Sequence, residues 1–486
     1  MTATTNPVYR DITEEQKSTN PYARLVPGQT IVEIPAYVLE CGETLSNFPV
    51  AYKTWGRLND DQDNVILINH ALTGSSDVQD WWGPLLGNGK TFDPSRFFII
   101  CINFLGSPYG SASPVSVDKS TGKPYGPSFP LVTVKDDIGI HKLILDSLDV
   151  KGIACVIGGS MGGMLALEYS ATYNKTPYVR TVIALATSAR ASAWCISWNE
   201  TQRQCIFSDP FYDDGYYFEN ENGIKPDSGL SAARMAALLT YRSRNSFETR
   251  FGRKLPNQIA AVPRSEKDLK RVEEEQGIRF PKTKDEENWL LHNDGSRSSL
   301  SRNSSLSESN SLNSNNSATK PQTYFTAQSY LRYQGNKFIT RFDANCYISI
   351  TRKLDTHDIT RGRIEVNDHS EDPLPAFLQN LQQPHLIIGI QSDGLFTYGE
   401  QQLLGENIPN SQLKKLDSPE GHDAFLLEFE LINNYCLKFL QEKLPEYYDD
   451  KSGKYEIFED WAKFVDSTDN GGNSVFGEAE KNITNW

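Results

Sequence analysis

One short run near residue 160 constrains the fold of this chain more than any other feature. The run is Ile153-Ala-Cys-Val-Ile-Gly-Gly-Ser-Met-Gly-Gly163. Its apolar, β-branched start predicts a buried strand, and the segment that follows has the composition of a helix packed on a sheet. A serine in a strained strand-to-helix turn needs small neighbours, which the glycines provide. A glycine-serine turn alone is common, but this context predicts a nucleophile elbow with Ser160 as the catalytic nucleophile.

A serine of this kind requires an acid and a histidine base, which follow it along the chain in that order. His422 lies in a turn before an amphipathic segment and is the preferred base among the seven histidines. Asp393 follows the apolar strand predicted over 384–390 and is the preferred acid, although Asp-Gly is also a common turn pair. His70 ends another apolar run, but it precedes the serine and is interpreted as shaping its own loop.

Acyl transfer also needs hydrogen-bond donors for the oxyanion that forms when the carbonyl is attacked. The first predicted donor is the backbone N–H of Met161, directly after the nucleophile. The second is expected from the loop that follows the strand at 65–69, where either Leu72 or Thr73 supplies the N–H.

The wider pattern predicts an α/β fold with a mainly parallel central sheet, because strand-like and helix-like segments alternate from about residue 30 to 190. The predicted organisation is an N-terminal extension (1–30), a first α/β core segment (31–190), a helical cap insertion (191–365), a second core segment (366–445) and an acidic tail (446–486). Within the cap, residues 285–320 are rich in Ser and Asn and are predicted to be disordered, since they have little apolar surface to bury.

Composition narrows the function classes. The formal charge of −14 argues against non-specific nucleic-acid binding, and no apolar run has the length of a membrane span. The seven cysteines contain no C-x-x-C pair, which favours reduced thiols over disulfides or a metal site. The N-terminus lacks the apolar stretch of a secretion signal. We therefore expect a cytoplasmic enzyme without a bound metal, nucleic acid or membrane.

Several longer motifs carry a more specific resemblance. They include Ala51-Tyr-Lys-Thr-Trp-Gly56, Asn69-His-Ala-Leu-Thr-Gly-Ser75, Asp80-Trp-Trp-Gly-Pro-Leu-Leu-Gly87, Leu239-Thr-Tyr-Arg-Ser243 and Gly421-His-Asp-Ala-Phe425, together with the elbow itself. On these motifs the chain resembles the homoserine O-acetyltransferases in their longer fungal form, which have the α/β-hydrolase fold. The resemblance covers most of residues 30–250 and 320–440.

The resemblance implies further site residues. Arg234 and Tyr241 match the residues that face the substrate pocket, and Asp423 matches the carboxylate that holds the homoserine ammonium. This assignment suits a zwitterionic substrate, because Arg binds a carboxylate in a bidentate manner while a carboxylate receives the ammonium.

The resemblance also implies a ping-pong reaction without a permanently bound cofactor. Acetyl-CoA is the expected co-substrate: it acetylates Ser160, and the side-chain hydroxyl of homoserine then takes the acetyl group. The product is O-acetylhomoserine, an intermediate of methionine biosynthesis. Arg242, Arg244 and Lys337 are candidates for a basic rim that contacts the CoA phosphates. The family further implies a homodimer formed through the cap.

Other functions remain open at this stage. The acceptor could be serine or a secondary metabolite such as deacetylcephalosporin C, and the donor could be succinyl-CoA. A serine hydrolase would use the same triad, whereas a non-catalytic binding module is disfavoured because Ser160, Asp393 and His422 are all present.

Overall fold

A nine-stranded sheet organises the part of the chain that the computed structural model describes, which is residues 7–254, 283–293, 325–364 and 372–449. The strands are β1 (Arg10–Asp11), β2 (Thr30–Val38), β3 (Thr44–Trp55), β4 (Val65–Asn69), β5 (Phe98–Ile102), β6 (Ile153–Gly159), β7 (Val179–Leu185), β8 (His385–Ile390) and β9 (Ser411–Leu416). The helices are α1 (Thr13–Thr19), α2 (Val78–Trp82), α3 (Val134–Ser147), α4 (Met161–Thr172), α5 (Ala193–Phe207), α6 (Asp227–Tyr241), α7 (Arg244–Arg250), α8 (Lys284–His292), α9 (Thr326–Ile339), α10 (Ala344–Asp355), α11 (Leu374–Leu378), α12 (Tyr398–Asn407) and α13 (Phe429–Lys443).

The strand order is β1-β2-β3-β5-β4-β6-β7-β8-β9. The first four strands in this order pair antiparallel, and every later pair is parallel. Strands β4, β6 and β8 are buried along their whole length, as expected when helices cover both faces of a parallel sheet. The predicted α/β fold with a mainly parallel sheet is therefore confirmed.

Side chains alternate between the two faces of the sheet and form two separate parts of the core. Leu67 of β4 and Val156 of β6 pack in one cluster, which includes apolar residues of α3 and α4. Ile66 and Ile157, their neighbours along the strands, pack in the other cluster, which includes residues of α2 and α13. Because both faces are covered, the carboxyl ends of the strands are left as the place where a site can form.

Between β7 and β8 the chain leaves the sheet, and helices α5 to α11 lie in the described part of this interval. Helix α6 packs against α5 and α9, and α10 packs against α5. Helices α5 to α10 fall within the interval for which the sequence predicts a cap, residues 191–365, and α11 falls in the predicted second core segment, residues 366–445.

Three segments differ from the predicted organisation. The N-terminal extension is partly built into the sheet, because Arg10 of β1 pairs with Glu33 of β2. Helix α8 begins one residue before the interval predicted to be disordered, residues 285–320, and extends into it, while residues 294–320 lie outside the described ranges. Tyr447, at the start of the predicted tail, is buried against Phe97, while the tail from residue 450 lies outside the described ranges. No helix in the described ranges is long and apolar enough to cross a membrane.

Candidate active site

Ser160 lies in a sharp turn between β6 and α4. Its backbone φ is 60° with ψ −128°, a conformation that is unfavourable for a residue with a side chain. Two hydrogen bonds hold the turn: the Ser160 N–H donates to the carbonyl of Leu185 at 2.9 Å, and Thr187 Oγ1 donates to the carbonyl of Ser160 at 2.7 Å. The predicted elbow is present, and its strain is held by the neighbouring strand β7 and the loop after it.

The glycines of the elbow are required by close approach of the backbone. A Cβ atom on Gly162 would lie 2.1 Å from the carbonyl oxygen of Asn69, which ends β4. Strand β4 and helix α4 thus come together only because residue 162 has no side chain. This contact brings the loop after β4 next to the nucleophile.

Ser160, His422 and Asp393 form a continuous hydrogen-bonded relay. His422 Nε2 lies 2.9 Å from Ser160 Oγ, and His422 Nδ1 lies 2.8 Å from Asp393 Oδ2. All three residues are buried. An ionised carboxylate only accepts hydrogen bonds, so Nδ1 carries the proton and Nε2 is the acceptor for the serine hydroxyl. This is the geometry of a serine with its general base and orienting acid.

Asp393 is itself held in a fixed orientation. Its Oδ1 accepts hydrogen bonds from the backbone N–H groups of Leu395 and Phe396, at 2.9 and 3.0 Å. Gln401 Nε2 donates to the other oxygen, Oδ2, at 3.2 Å. The turn considered for Asp393-Gly394 is therefore present, and it positions the carboxylate toward His422.

Four other histidines in the described ranges are also buried. Burial lowers the pKa of His70 to about 4, His141 to about 3, His357 to about 4 and His385 to about 4. His70 stacks on Phe104 at 4.1 Å, and its Nδ1 lies 2.9 Å from the carbonyl oxygen of Ala71. Because burial keeps His70 neutral, Nδ1–H donates to this carbonyl, and His70 shapes the loop as the sequence predicted.

The predicted oxyanion donors lie around the same cavity. Met161 is the first residue of α4, so its N–H has no acceptor within the helix. Leu72 and Thr73 line the cavity with Ser160. Their turn is held from behind, since Gly74 N–H donates to Ala71 O at 3.0 Å and Arg341 Nη1 donates to Thr73 O at 3.1 Å. Either N–H group of the predicted pair remains a candidate for the second donor.

The residues implied for substrate binding lie close together, but only two of the three line the cavity. Tyr241 and Asp423 line the cavity with Ser160 and His422. Arg234 is buried next to this wall, and its guanidinium lies 5.6 Å from the ring centre of Tyr241. Positions 234 and 241 therefore face the same way on α6, as their spacing indicates.

The prediction that Arg242 belongs to a basic rim for the CoA phosphates is wrong. The side chain of Arg242 is only 2% exposed, and it forms ion pairs with Glu420 at 2.6 Å and with Asp423 at 2.8 Å. A guanidinium enclosed in this way is not available at the surface for a phosphate. The sequence motif indicated a cation here but not that the end of α6 packs against the His422 loop.

Two polar residues of the cavity wall were missed by the sequence analysis. Asn199 and Gln202, three residues apart on α5, both line the cavity. Asn199 Nδ2 donates to Asp355 Oδ1 at 2.8 Å, and Tyr347 donates its hydroxyl hydrogen to Gln202 Oε1 at 2.6 Å. Their spacing puts them on one face of a helix, which was the available signal.

Comparison with known proteins shows which family and fold this chain is similar to. A family model described as the alpha/beta hydrolase fold matches residues 64–429. The homoserine O-acetyltransferase of Saccharomyces cerevisiae is 55% identical and covers 97% of this chain and 97% of its own length. The enzyme of the same name from Emericella nidulans is 50% identical over 96% of both chains, and that of Schizosaccharomyces pombe is 46% identical over 99% and 98%.

Solved structures support the fold. The homoserine O-acetyltransferase of Bacillus anthracis has a TM-score of 0.63 at 21% identity and covers 85% of this chain and 97% of its own. Esterase E22 has a TM-score of 0.62 at 21% identity, covering 85% of this chain and 99% of its own. At these identities the likeness concerns the fold alone, which is shared by transferases and esterases.

Proposed function

Because the chain belongs to the homoserine O-acetyltransferase family, within the α/β-hydrolase fold, we propose that Ser160, His422 and Asp393 carry out its acetyl transfer to L-homoserine. The observation that supports these roles is the relay from Asp393 through His422 to Ser160, at 2.8 and 2.9 Å, at the wall of one cavity. The acyl donor we propose is acetyl-CoA, used as a co-substrate and not as a bound cofactor.

In the first half-reaction, His422 Nε2 takes the proton of the Ser160 hydroxyl while Ser160 Oγ attacks the thioester carbonyl. The negative charge that develops on the carbonyl oxygen is stabilised by the N–H of Met161 and one N–H of the Leu72–Thr73 turn. The carbon–sulfur bond then breaks, and the CoA sulfur takes the proton from His422. Acetyl-Ser160 remains.

In the second half-reaction, the same groups act in the reverse order. His422 takes the proton from the homoserine hydroxyl, the oxygen attacks acetyl-Ser160, and the proton passes to Ser160 Oγ as the acetyl–serine bond breaks. Asp393 stabilises the imidazolium in both halves, because its carboxylate accepts the Nδ1–H of His422. The product is O-acetyl-L-homoserine.

We propose that the acceptor is recognised by its two charges. Asp423, at the cavity wall next to His422, receives the ammonium. Arg234 and Tyr241 lie on one face of α6, with the guanidinium 5.6 Å from the ring centre of Tyr241, and Arg234 supplies the positive charge for the carboxylate. Much of the remaining wall is apolar, with Leu395, Phe396 and Phe425 among its residues, and this limits the access of water to acetyl-Ser160.

The proposed setting is the reducing cytoplasm, and the proposed assembly is a homodimer formed through the cap. All seven cysteines are free, which suits a reducing compartment. Leu239 of α6 and Tyr333 of α9 are exposed apolar residues on cap helices. Static light scattering on the purified protein tests the assembly, and a monomer at micromolar concentration would contradict it.

A CoA-release assay tests the reaction. Purified protein is mixed with acetyl-CoA with and without L-homoserine, beside Ser160→Ala, with L-serine and succinyl-CoA as alternative substrates. We expect sustained CoA release that depends on homoserine and is lost in Ser160→Ala. Release that ignores homoserine would instead indicate a hydrolase, and faster release with serine or succinyl-CoA would change the acceptor or the donor.

A further inference from the structure

Four charged side chains form a chain of ion pairs around the loop that carries His422, and two of them, Arg242 and Asp423, are buried while Glu420 and Arg250 are partly exposed. Arg242 Nε is 2.8 Å from Asp423 Oδ2, and Arg242 Nη1 is 2.6 Å from Glu420 Oε2. Arg250 Nη2 pairs with the other oxygen of Glu420, Oε1, at 2.8 Å. Arg242 thus contacts one carboxylate on each side of His422, and the proposed reaction gives it no role.

This arrangement places an arginine of the cap on the loop that carries the base. Arg242 is the residue that ends α6, and Ser243 begins α7 as its N-cap. Ser246 Oγ donates to Glu420 Oε2 at 2.7 Å. The two backbones also touch, because a Cβ on Gly421 would lie 2.4 Å from the amide nitrogen of Ser243. Only glycine at position 421 permits this approach.

Burial explains why Asp423 needs this partner. Asp423 is 3% exposed, and its side chain lies between the cavity and the guanidinium of Arg242. A buried carboxylate is costly unless an opposite charge and hydrogen bonds compensate it. Arg242 supplies that charge from a fixed planar group, which also limits the directions in which the Asp423 carboxylate can point.

We propose that Arg242 is a positioning residue for acceptor binding: it holds the Asp423 carboxylate charged and in a fixed orientation at the wall of the cavity that receives the substrate ammonium. Arg242 itself does not touch the substrate. This inference rests on the proposed function, in which Asp423 receives the ammonium of homoserine.

Because Arg242 acts through the ammonium contact, its loss should affect the second half-reaction, in which homoserine binds, more than the first. Acetylation of Ser160 involves no ammonium-bearing amino acid, whereas transfer to homoserine does. Loss of Arg242 therefore raises the KM for homoserine more than it slows acetylation. An acceptor without the ammonium, 4-hydroxybutyrate, gains nothing from the Arg242–Asp423 pair, so discrimination between the two acceptors falls.

The test uses the full chain with Arg242→Met, Arg242→Lys, Asp423→Asn and the double variant Arg242→Met/Asp423→Asn. The control is Arg180→Met, which removes an arginine ion pair with Glu446 near the start of β7, at the opposite end of the sheet from Ser160. Three quantities are measured for each: KM and kcat with homoserine, the same with 4-hydroxybutyrate, and CoA release in the first turnover.

We expect Arg242→Met to raise the KM for homoserine about tenfold or more while first-turnover release falls by less than about threefold. Arg242→Lys restores part of the KM, because it keeps the charge without the bidentate geometry. The double variant is no worse than Asp423→Asn, since Arg242 acts through that carboxylate. Arg180→Met keeps the KM for homoserine of the parent protein.

Two results would overturn the inference. One is an Arg242→Met protein with the parent KM; the other is a double variant whose KM is the product of the two single effects, which indicates independent roles. If Arg242→Met does not fold, the same comparison of single and double variants is made with Arg242→Lys in place of Arg242→Met. Failure of the proposed function looks different: the parent protein then shows no homoserine-dependent release, or Asp423→Asn alone leaves the KM for homoserine unchanged.

Discussion

At the scale of single residues, the site depends on the orientation of one imidazole. His422 is held from both sides, by Asp393 at Nδ1 and by Ser160 at Nε2. The rings of Phe396 and Phe425 meet it edge-on, each with its centre 5.4 Å away. The hydrogen bonds thus select the tautomer while the aromatic contacts limit rotation of the ring.

Replacing Asp393 with Asn tests the tautomer. An Asn side chain can donate a hydrogen bond to Nδ1, and the imidazole proton then lies on Nε2. A protonated Nε2 cannot accept the proton of the serine hydroxyl. We expect kcat with acetyl-CoA and homoserine to fall by about 10³–10⁴. Asp417→Asn, an exposed change just after β9, serves as the control. A kcat within tenfold of the parent would contradict the assigned role of Asp393.

A second residue-scale prediction concerns the close contact behind the nucleophile. In Gly162→Ala, the new Cβ meets the carbonyl oxygen of Asn69, 2.1 Å away, so the backbone of β4 or α4 must move. We expect a loss of about 1–3 kcal/mol in the free energy of unfolding, together with a large loss of activity. Urea unfolding and the transfer assay measure the two effects.

Gly399→Ala is the matched control for this change. Gly399 is an exposed glycine within α12, and a Cβ there would meet only Thr397 Oγ1 at 3.8 Å. We expect it to be neutral or to stabilise the protein by up to about 1 kcal/mol, because alanine favours helix. Equal destabilisation by both changes would show that the contact at Gly162 is not the cause.

At the scale of elements, one buried ion pair links the cap helix α10 to α3, a helix that covers one face of the sheet. Lys353 of α10 and Asp137 of α3 are fully buried, with Nζ and Oδ2 2.6 Å apart. Lys353 also donates to the carbonyl of Leu105 at 2.7 Å, and Asp137 Oδ1 accepts from the N–H of Leu105 at 2.9 Å. Burial raises the pKa of Asp137 to about 6 and lowers the pKa of Lys353, and their mutual attraction opposes both shifts.

This pair predicts a strong asymmetry between single and double variants. Lys353→Met leaves Asp137 buried without its cation, and we expect a loss of about 3–5 kcal/mol in the free energy of unfolding. Adding Asp137→Leu removes the uncompensated charge and recovers much of that loss. Recovery is incomplete because the peptide groups of Leu105 lose their partners. Urea unfolding of the single and the double variant measures both free energies. A double variant less stable than Lys353→Met would contradict this prediction.

At the scale of the whole molecule, buried histidines make stability depend on pH. Burial lowers the pKa of His141 to about 3, whereas an unfolded histidine titrates near 6.5. Between these values the unfolded state binds the extra proton, so the free energy of unfolding falls as the pH falls. Above about pH 6.5 His141 is neutral in both states and contributes no pH dependence. His70, His357 and His385 act in the same direction, each with a pKa of about 4.

His141→Leu isolates one of these groups. Between pH 6 and 4, we expect the slope of unfolding free energy against pH to fall by up to about 1.4 kcal/mol per pH unit, the value for one proton. The measurement is urea unfolding at several pH values in constant ionic strength. An unchanged slope in His141→Leu would show that His141 is not excluded from protonation by burial.

The sequence by itself determined the parts of this protein whose causes lie in contiguous residues. A strained turn between a strand and a helix needs glycines around Ser160, so the elbow is visible in the chain. Strand ends mark where the acid and base must lie, which made Asp393 and His422 identifiable before their 2.8 Å contact was known. Alternating apolar segments likewise predicted the parallel sheet.

Tertiary structure decided what depends on segments far apart in the chain. The approach of the α6–α7 junction to Gly421 encloses Arg242, which the sequence had suggested for a surface rim. Pairing with β2 draws residues 10–11 into the sheet, although the N-terminal segment looked like an extension. Packing of α5 turns Asn199 and Gln202 toward the cavity. In each case burial and charge pairing are set by a distant partner, and neither local propensity nor spacing along the chain contains that information.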